Sequence, residues 1–170
     1  MLLLLLRHAH AGQRDPIHYP DDSLRPLTAE GRATSRRAAA ALLHHGLVPT
    51  TTLSSPWSRA RETAEIVAAM IPQHHRVPLQ LSSALMGTPN LRALSRAVGR
   101  QPASAVVLCV GHEPWLGEVA GLLLWGGPAK KRIELPKGGL IGLDVSSLRA
   151  RRGQLRFLLP PDMMAPAPGS

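Results

Sequence analysis

Five consecutive leucines, Leu2 to Leu6, stop abruptly at Arg7-His8, and no other feature restricts the fold of this chain as much. An unbroken apolar run of this length reads as a strand whose two faces are both covered by helices, the situation found in parallel sheets. A second run, Ala105 to Val110, ends in the same way at Gly111-His112. Both are far short of the ~20 residues that span a bilayer, and the first lacks a basic leading segment, so neither an export signal nor a membrane anchor is expected.

The segments between these runs alternate in character. Ala11 to Pro26 form a polar loop, and Thr28 offers an N-cap for an Ala-rich helix running to about His45 and closed by Gly46. Thr51 to Ser54 read as a short β-branched strand, with Ser55-Pro56 leading into a helix from about Trp57 to Met70 that Pro72 stops. A strand over Val77 to Leu81, a short helix over Asn90 to Val98 and a helix over Pro114 to Trp125 follow. Two more strands are expected at Leu140 to Val145 and Leu155 to Leu159. Strands alternating with helices define an α/β fold with a mostly parallel sheet.

The chain has 170 residues, which suits one domain over 1–159, followed by a Pro-rich tail over 160–170 that is expected to fray. A (β/α)8 barrel would need about 250 residues. One cysteine, Cys109, can form neither an internal disulfide nor a four-ligand zinc site, and it fits a reducing cytoplasm. The formal charge of +9 is uneven: residues 1–129 carry +4, residues 130–156 carry +6 and the remainder −1. Lys130, Lys131, Arg132, Arg149, Arg151, Arg152 and Arg156 supply most of the basic residues of that excess. Such a run is ordinarily a solvated face, although it would attract an acidic protein or nucleic acid. Nucleic acid is the weaker choice, because one Phe and one Tyr leave little for base stacking.

Three strands thus end in polar residues of related chemistry: Arg7-His8, Ser54-Ser55 leading to Arg59, and Gly111-His112. Open α/β sheets bind ligands at the carboxyl ends of their strands. Two arginines and two histidines collected there, with no acid in the same motifs, suit a dianion such as phosphate. Neighbouring guanidinium charges also disfavour imidazolium, leaving a histidine nitrogen free to attack phosphorus, and His8 is the candidate nucleophile.

These blocks resemble the histidine phosphatase superfamily, whose fold is phosphoglycerate mutase-like, and within it the small phosphohistidine phosphatases of the SixA type. The resemblance rests on Leu-Arg-His-Ala-x-Ala at 6–11, Arg-Pro-Leu-Thr-x-x-Gly at 25–31, Ser-Ser-Pro-x-x-Arg-Ala-x-x-Thr-Ala at 54–64 and Val-Gly-His-x-Pro-x-Leu at 110–116. It implies a three-layer sandwich around the sheet, a phosphoryl group carried by His8, and phosphate held by Arg7, Arg59 and His112. It implies no metal and no cofactor. Arg25 would be a further phosphate ligand, with a salt bridge to Asp21 or Asp22 as the competing role. A cation at Lys137, beside Gly138-Gly139, stays outside this catalytic set, because a turn explains the glycines equally well.

One departure bears on the substrate. Relatives that cleave phosphate esters carry Glu or Asp after the third strand as proton donor, and the equivalent here is Ala84, within Leu81-Ser82-Ser83-Ala84-Leu85. An alkoxide leaves poorly without a donor, whereas the nitrogen of a phosphoramidate can take its proton from solvent. The expectation is therefore a phosphorylated protein bearing phosphohistidine, with small phosphorylated substrates as the alternative and His10, Asp15 or Glu113 as substitute acids. A metal at His8-x-His10 would need a third ligand that is not spaced for it. Cys109 lacks the Arg six positions on that a cysteine phosphatase requires, having Trp115 there. Trp57, Trp115 and Trp125 would either pack in the core or line the cleft.

Overall fold

The computed structural model describes residues 1–127, 129 and 132–164. The leucine run is β1 (Leu2–Arg7), and the chain continues through α1 (Ala29–His44), β2 (Thr51–Ser54), α2 (Ser58–Met70), β3 (Leu79–Leu81) and α3 (Leu91–Val98). It is completed by β4 (Val106–Gly111), α4 (Trp115–Trp125), β5 (Leu140–Val145) and β6 (Gly153–Leu159). The six strands form one sheet in the order β3-β2-β4-β1-β5-β6. β1, β2, β3 and β4 are mutually parallel, β5 pairs antiparallel with β1, and β6 pairs antiparallel with β5 at the sheet edge.

Successive side chains of a strand point to opposite faces, so the leucines of β1 divide between two cores. Leu2, Leu4 and Leu6 pack under α1 and α2, against Ala38, Ala39, Ala60 and Ala64. Leu3 and Leu5 pack on the other face, with Leu94 of α3 and Trp115, Leu116, Val119 and Leu123 of α4. Small alanines on α1 and α2 allow those helices to approach closely. The result is the expected three-layer α/β sandwich.

Local signals set the boundaries. Thr28 caps α1 by accepting a hydrogen bond from the Gly31 amide. β3 is shorter than expected and starts only at Leu79, since Pro78 has no amide to donate to a ladder. β6 begins two residues earlier than expected, and Gly142 beside its bulge leaves room for the Phe157 ring. Of the segment expected to fray, Pro161–Met163 form a 3-10 turn and Met164 is buried under the α1 layer, held by the apolar surface its side chain covers. Residues 165–170 lie outside the described residues. No helix among the described residues is long and apolar enough to cross a membrane.

Candidate active site

Parallel pairing brings the carboxyl ends of β1, β2 and β4 together. Arg7 is opposite Gly111, and Ser54 is opposite Val110. The His8 amide continues the ladder by donating to the Gly111 carbonyl at 2.9 Å, and the Ser55 amide donates to Val110. Three polar turns therefore emerge side by side. The turn after His8 is fastened to α2, because the Ala9 amide donates to Thr63 Oγ1, whose hydroxyl donates to the Arg59 carbonyl. On its other side Gly31 has no Cβ, which would collide with the His10 carbonyl.

His8 is buried, at 6% exposure. Its Nδ1 sits 2.8 Å from the Ala9 carbonyl, an acceptor, so Nδ1 carries the proton and Nε2 presents a lone pair. Arg59 Nε donates toward that Nε2 at 3.3 Å. The His8 pKa is lowered to about 3, chiefly by burial; the hydrogen bond to the Ala9 carbonyl opposes the shift, and His112, Arg59 and Arg7 lower it further. This corrects the expectation that guanidinium charge is the main cause. Desolvation of the ring dominates, and the cations reinforce it.

His112 stands beside it, ring centroids 5.0 Å apart. Its Nε2 lies 2.9 Å from the Ser55 hydroxyl, while Nδ1 is buried with no partner. Burial and then Arg59 and Arg7 lower its pKa to about 4. The Arg59 guanidinium lies over the Trp57 ring at 4.4 Å, and that indole contacts His112 with centroids 4.9 Å apart. Trp57 thus lines the site, whereas Trp115 is buried in the core and Trp125 is half-buried at the end of α4.

Asp22, to which the motifs drew attention only as a partner for Arg25, binds both arginines of this wall. Its Oδ1 accepts from Arg25 Nε at 2.8 Å, its Oδ2 is 3.2 Å from Arg59 Nη2, and its carbonyl accepts from Arg59 Nη1 at 2.8 Å. Arg25 Nη1 also donates to the Ala11 and Gly12 carbonyls. The competing role for Arg25 is thus the one its geometry displays: its guanidinium fixes the 11–25 loop. No acid in a strand-end motif signalled this, because Asp22 reaches the site from a distant loop.

Arg7 Nη1 donates to the Leu135 carbonyl at 2.6 Å, and its Nε is buried without a partner. Among the described residues, two of the four buried side-chain nitrogens without a protein partner, Arg7 Nε and His112 Nδ1, thus belong to this site, the others being Arg37 Nε and Trp115 Nε1. The Gly138 amide donates to the Arg7 and His8 carbonyls, so the 136–139 turn abuts the strand end. Lys137 on that turn is close enough for Arg7, Arg25 and Arg59 to depress its pKa, although partial burial is the larger cause.

Each of the three substitute groups has hydrogen-bond partners of its own. Asp15 accepts from the Ile17 and His18 amides and pairs with the His18 ring at 2.7 Å, bonds that hold its pKa below the usual value. His10 Nδ1 is 3.0 Å from Thr28 Oγ1. Both oxygens of Glu113 accept backbone amides, from Gly117 and Leu135. Ala84 lies in a 3-10 turn, Ser83–Leu85, beside the end of β4. Among the described residues no group of three or more His, Cys, Asp and Glu could hold a metal. Cys109 is fully buried, its thiol pushed up to about 12. In the basic segment, Arg156 pairs with Asp144 and Arg151 donates to the Trp125 carbonyl, while Lys130 and Lys131 lie outside the described residues.

Known proteins share this fold. The model of the histidine phosphatase superfamily, branch 1, matches residues 3–87. An uncharacterised protein of Picosynechococcus sp. strain PCC 7002 is 33% identical, with 98% of this chain and 100% of that protein aligned. The protein histidine phosphatase SixA, solved with tungstate, superposes with a TM-score of 0.75 at 22% identity, covering 95% of this chain and 98% of its own. The alpha-ribazole phosphatase of Shigella flexneri superposes with a TM-score of 0.66 at 18% identity, covering 95% and 97%.

Proposed function

We propose a reaction course for this chain, which belongs to the histidine phosphatase superfamily and is a phosphatase by that membership. His8 Nε2 attacks phosphorus in line with the leaving group; the bond from phosphorus to the leaving atom breaks, and a phosphohistidine forms. Water then attacks the same phosphorus from the vacated side, the P–Nε2 bond breaks, and phosphate leaves while the imidazole returns to its neutral state. Arg7, Arg59 and His112 hold the three equatorial oxygens, whose charge they stabilise more strongly as the transition state develops. Arg25 keeps the loop bearing Asp22 in place and adds positive potential. No metal enters this course.

The preferred substrate is a phosphohistidine on a protein. The observation that carries this choice lies at the donor position, where Ala84 has no acid to offer, while Asp15 and Glu113 are committed to backbone amides. A leaving imidazole needs no enzyme acid, since water can protonate its nitrogen. A leaving alkoxide does need one, worth about 10²- to 10⁴-fold in rate. SixA is a protein histidine phosphatase in name, which accords with the reading, while the alpha-ribazole phosphatase represents the small-ester alternative. A cytoplasmic location belongs to the same reading, because a single cysteine cannot form the internal disulfides typical of oxidising compartments.

The test pairs a trap with a competition. Brief incubation with ³²P-labelled phosphohistidine protein should place acid-labile, base-stable label on His8 of the enzyme, and EDTA should leave turnover unchanged. Given a phosphohistidine protein and alkyl phosphates side by side, the enzyme should turn over the former with the higher kcat/KM. Faster ester turnover would reject the substrate assignment; label on any other residue would reject the course.

A further inference from the structure

Glu113 follows a phosphate-binding histidine, yet its carboxylate does not face phosphate. Its Oε2 accepts the Gly117 amide at 3.3 Å, satisfying an N-terminal amide of α4 that Pro114 at the N-cap cannot. Its Oε1 accepts the Leu135 amide at 3.0 Å. The carbonyl of that same Leu135 accepts Arg7 Nη1 at 2.6 Å. One carboxylate therefore clasps the start of α4 to the 132–139 segment, and that segment grips the arginine. Gly117 completes the clasp from below, since a Cβ there would run into the Ile133 carbonyl and the Glu113 carboxylate.

We infer that Glu113 is a positioning residue for phosphate binding, acting through Leu135 to set the direction in which Arg7 presents its guanidinium. The inference rests on the reading of Arg7 as a phosphate ligand. The physical reason is one of competing directions. A guanidinium presents its donors in a rigid plane, and Arg7 gives one donor, Nη1, to the Leu135 carbonyl. Moving that carbonyl rotates the plane and takes the remaining donors, Nε included, out of line with the oxygens held by His112. Two amide donors converge on Glu113, so only an ionised carboxylate satisfies both; a carboxamide would oppose one of them with its own N–H groups. Burial raises the Glu113 pKa, and the two amides and Arg7 oppose that rise. Two acceptor contacts are what a clasp requires and what a proton donor would lack.

The experiment is a double-mutant cycle on the full chain, with Glu113→Gln, Arg7→Ala and the pair. It is read as affinity for inorganic phosphate by titration calorimetry and as kcat/KM on 4-nitrophenyl phosphate. Both are measured well below each variant's thermal midpoint. Expected is a loss of about tenfold in each readout for Glu113→Gln in the wild-type background, and less than twofold in the Arg7→Ala background, because the clasp has nothing left to aim. Gly117→Ala, which displaces the same segment while keeping the carboxylate, should reproduce the Glu113→Gln losses and the same non-additivity. Equal losses in both backgrounds, or no loss in the wild-type background, would overturn the positioning role while leaving Arg7 as a ligand. If Arg7→Ala itself kept full phosphate affinity, the assignment of Arg7 would fall and the inference with it.

Discussion

The two poles of the sheet use the same side chain in opposite ways. At the carboxyl ends of β1, β2 and β4, Arg59 is 5% exposed and tied to Asp22, His8 and the Trp57 face, and Arg25 and Arg7 are fixed by carbonyls. At the other end, where β5 turns into β6 beside the start of β1, a cleft of about 910 Å³ opens between that turn and α3. It is lined by Arg92, Arg96 and Arg149 together with Ser95 and Ser147. These three arginines are exposed to water. A buried guanidinium must have partners to offset its desolvation, and those partners fix its direction; an exposed one keeps its hydration and its rotamer freedom. The count of arginines therefore says little about where chemistry occurs. Fixed direction says much more, since transition-state stabilisation depends on donors that need no rearrangement.

The largest expected effect is at His8, the nucleophile of the proposed course. His8→Asn should lower kcat by at least about a thousandfold and abolish acid-labile labelling, with the fold preserved by circular dichroism. Next come Arg59→Ala and Arg7→Ala, each expected to cost about 3–4 kcal/mol of transition-state stabilisation, roughly 10²- to 10³-fold in kcat/KM. Arg92→Ala measured beside them should change the same constant by less than twofold. A tenfold loss there would erase the distinction between the poles. Ala84→Glu would sharpen it by adding the missing acid to the fixed pole: alkyl phosphate turnover should rise at least about tenfold, with little change on phosphohistidine.

Much of the fixed pole is legible in the amino-acid sequence alone. The leucine run ending at Arg7-His8 and the apolar run ending at Gly111-His112 place two histidines at neighbouring strand ends, because period and burial are local properties of sequence. Thr28 and Gly46 mark the two ends of the first helix for the same reason. Asp22 and the Leu135 carbonyl were not legible. Asp22 is an ordinary acid in a polar loop until the loop folds back on α2, and a backbone carbonyl carries no sequence signal at all. The cause of the His8 shift was misjudged on similar grounds: charge can be counted in a motif, whereas desolvation depends on everything packed around the ring.

The fixed pole should also respond to acid. His8 titrates with a folded-state pKa lowered to about 3, against 6.5 for an ordinary imidazole. The folded state thus binds fewer protons than the unfolded chain between those values. Stability contributed by His8 is present above pH 6.5 and lost as pH falls toward 3, at up to about 1.4 kcal/mol per pH unit. Urea midpoints for wild type and His8→Asn should converge or cross as pH drops from 7 to 4. Parallel curves would mean that the ring is hydrated, and the account of the neutral nucleophile would fail.

The smallest effect concerns the exposed pole, and it is informative because it is small. Replacing Arg92, Arg96 and Arg149 together by Glu removes six units of formal charge from a chain that carries +9. At 0.15 M salt the Debye length is about 8 Å, shorter than β1 itself, whose six residues span roughly 20 Å. The altered field should therefore fade before it reaches the strand ends. The triple variant should keep kcat/KM for a small phosphate within about twofold at that ionic strength and lose more as salt is lowered, while stability changes by no more than about 0.5 kcal/mol per site. A salt-independent loss on the small substrate would show mechanical coupling between the poles. A loss confined to a phosphohistidine protein would instead identify the cleft beside α3 as a surface that the larger substrate touches, making direction matter at one pole and charge at the other.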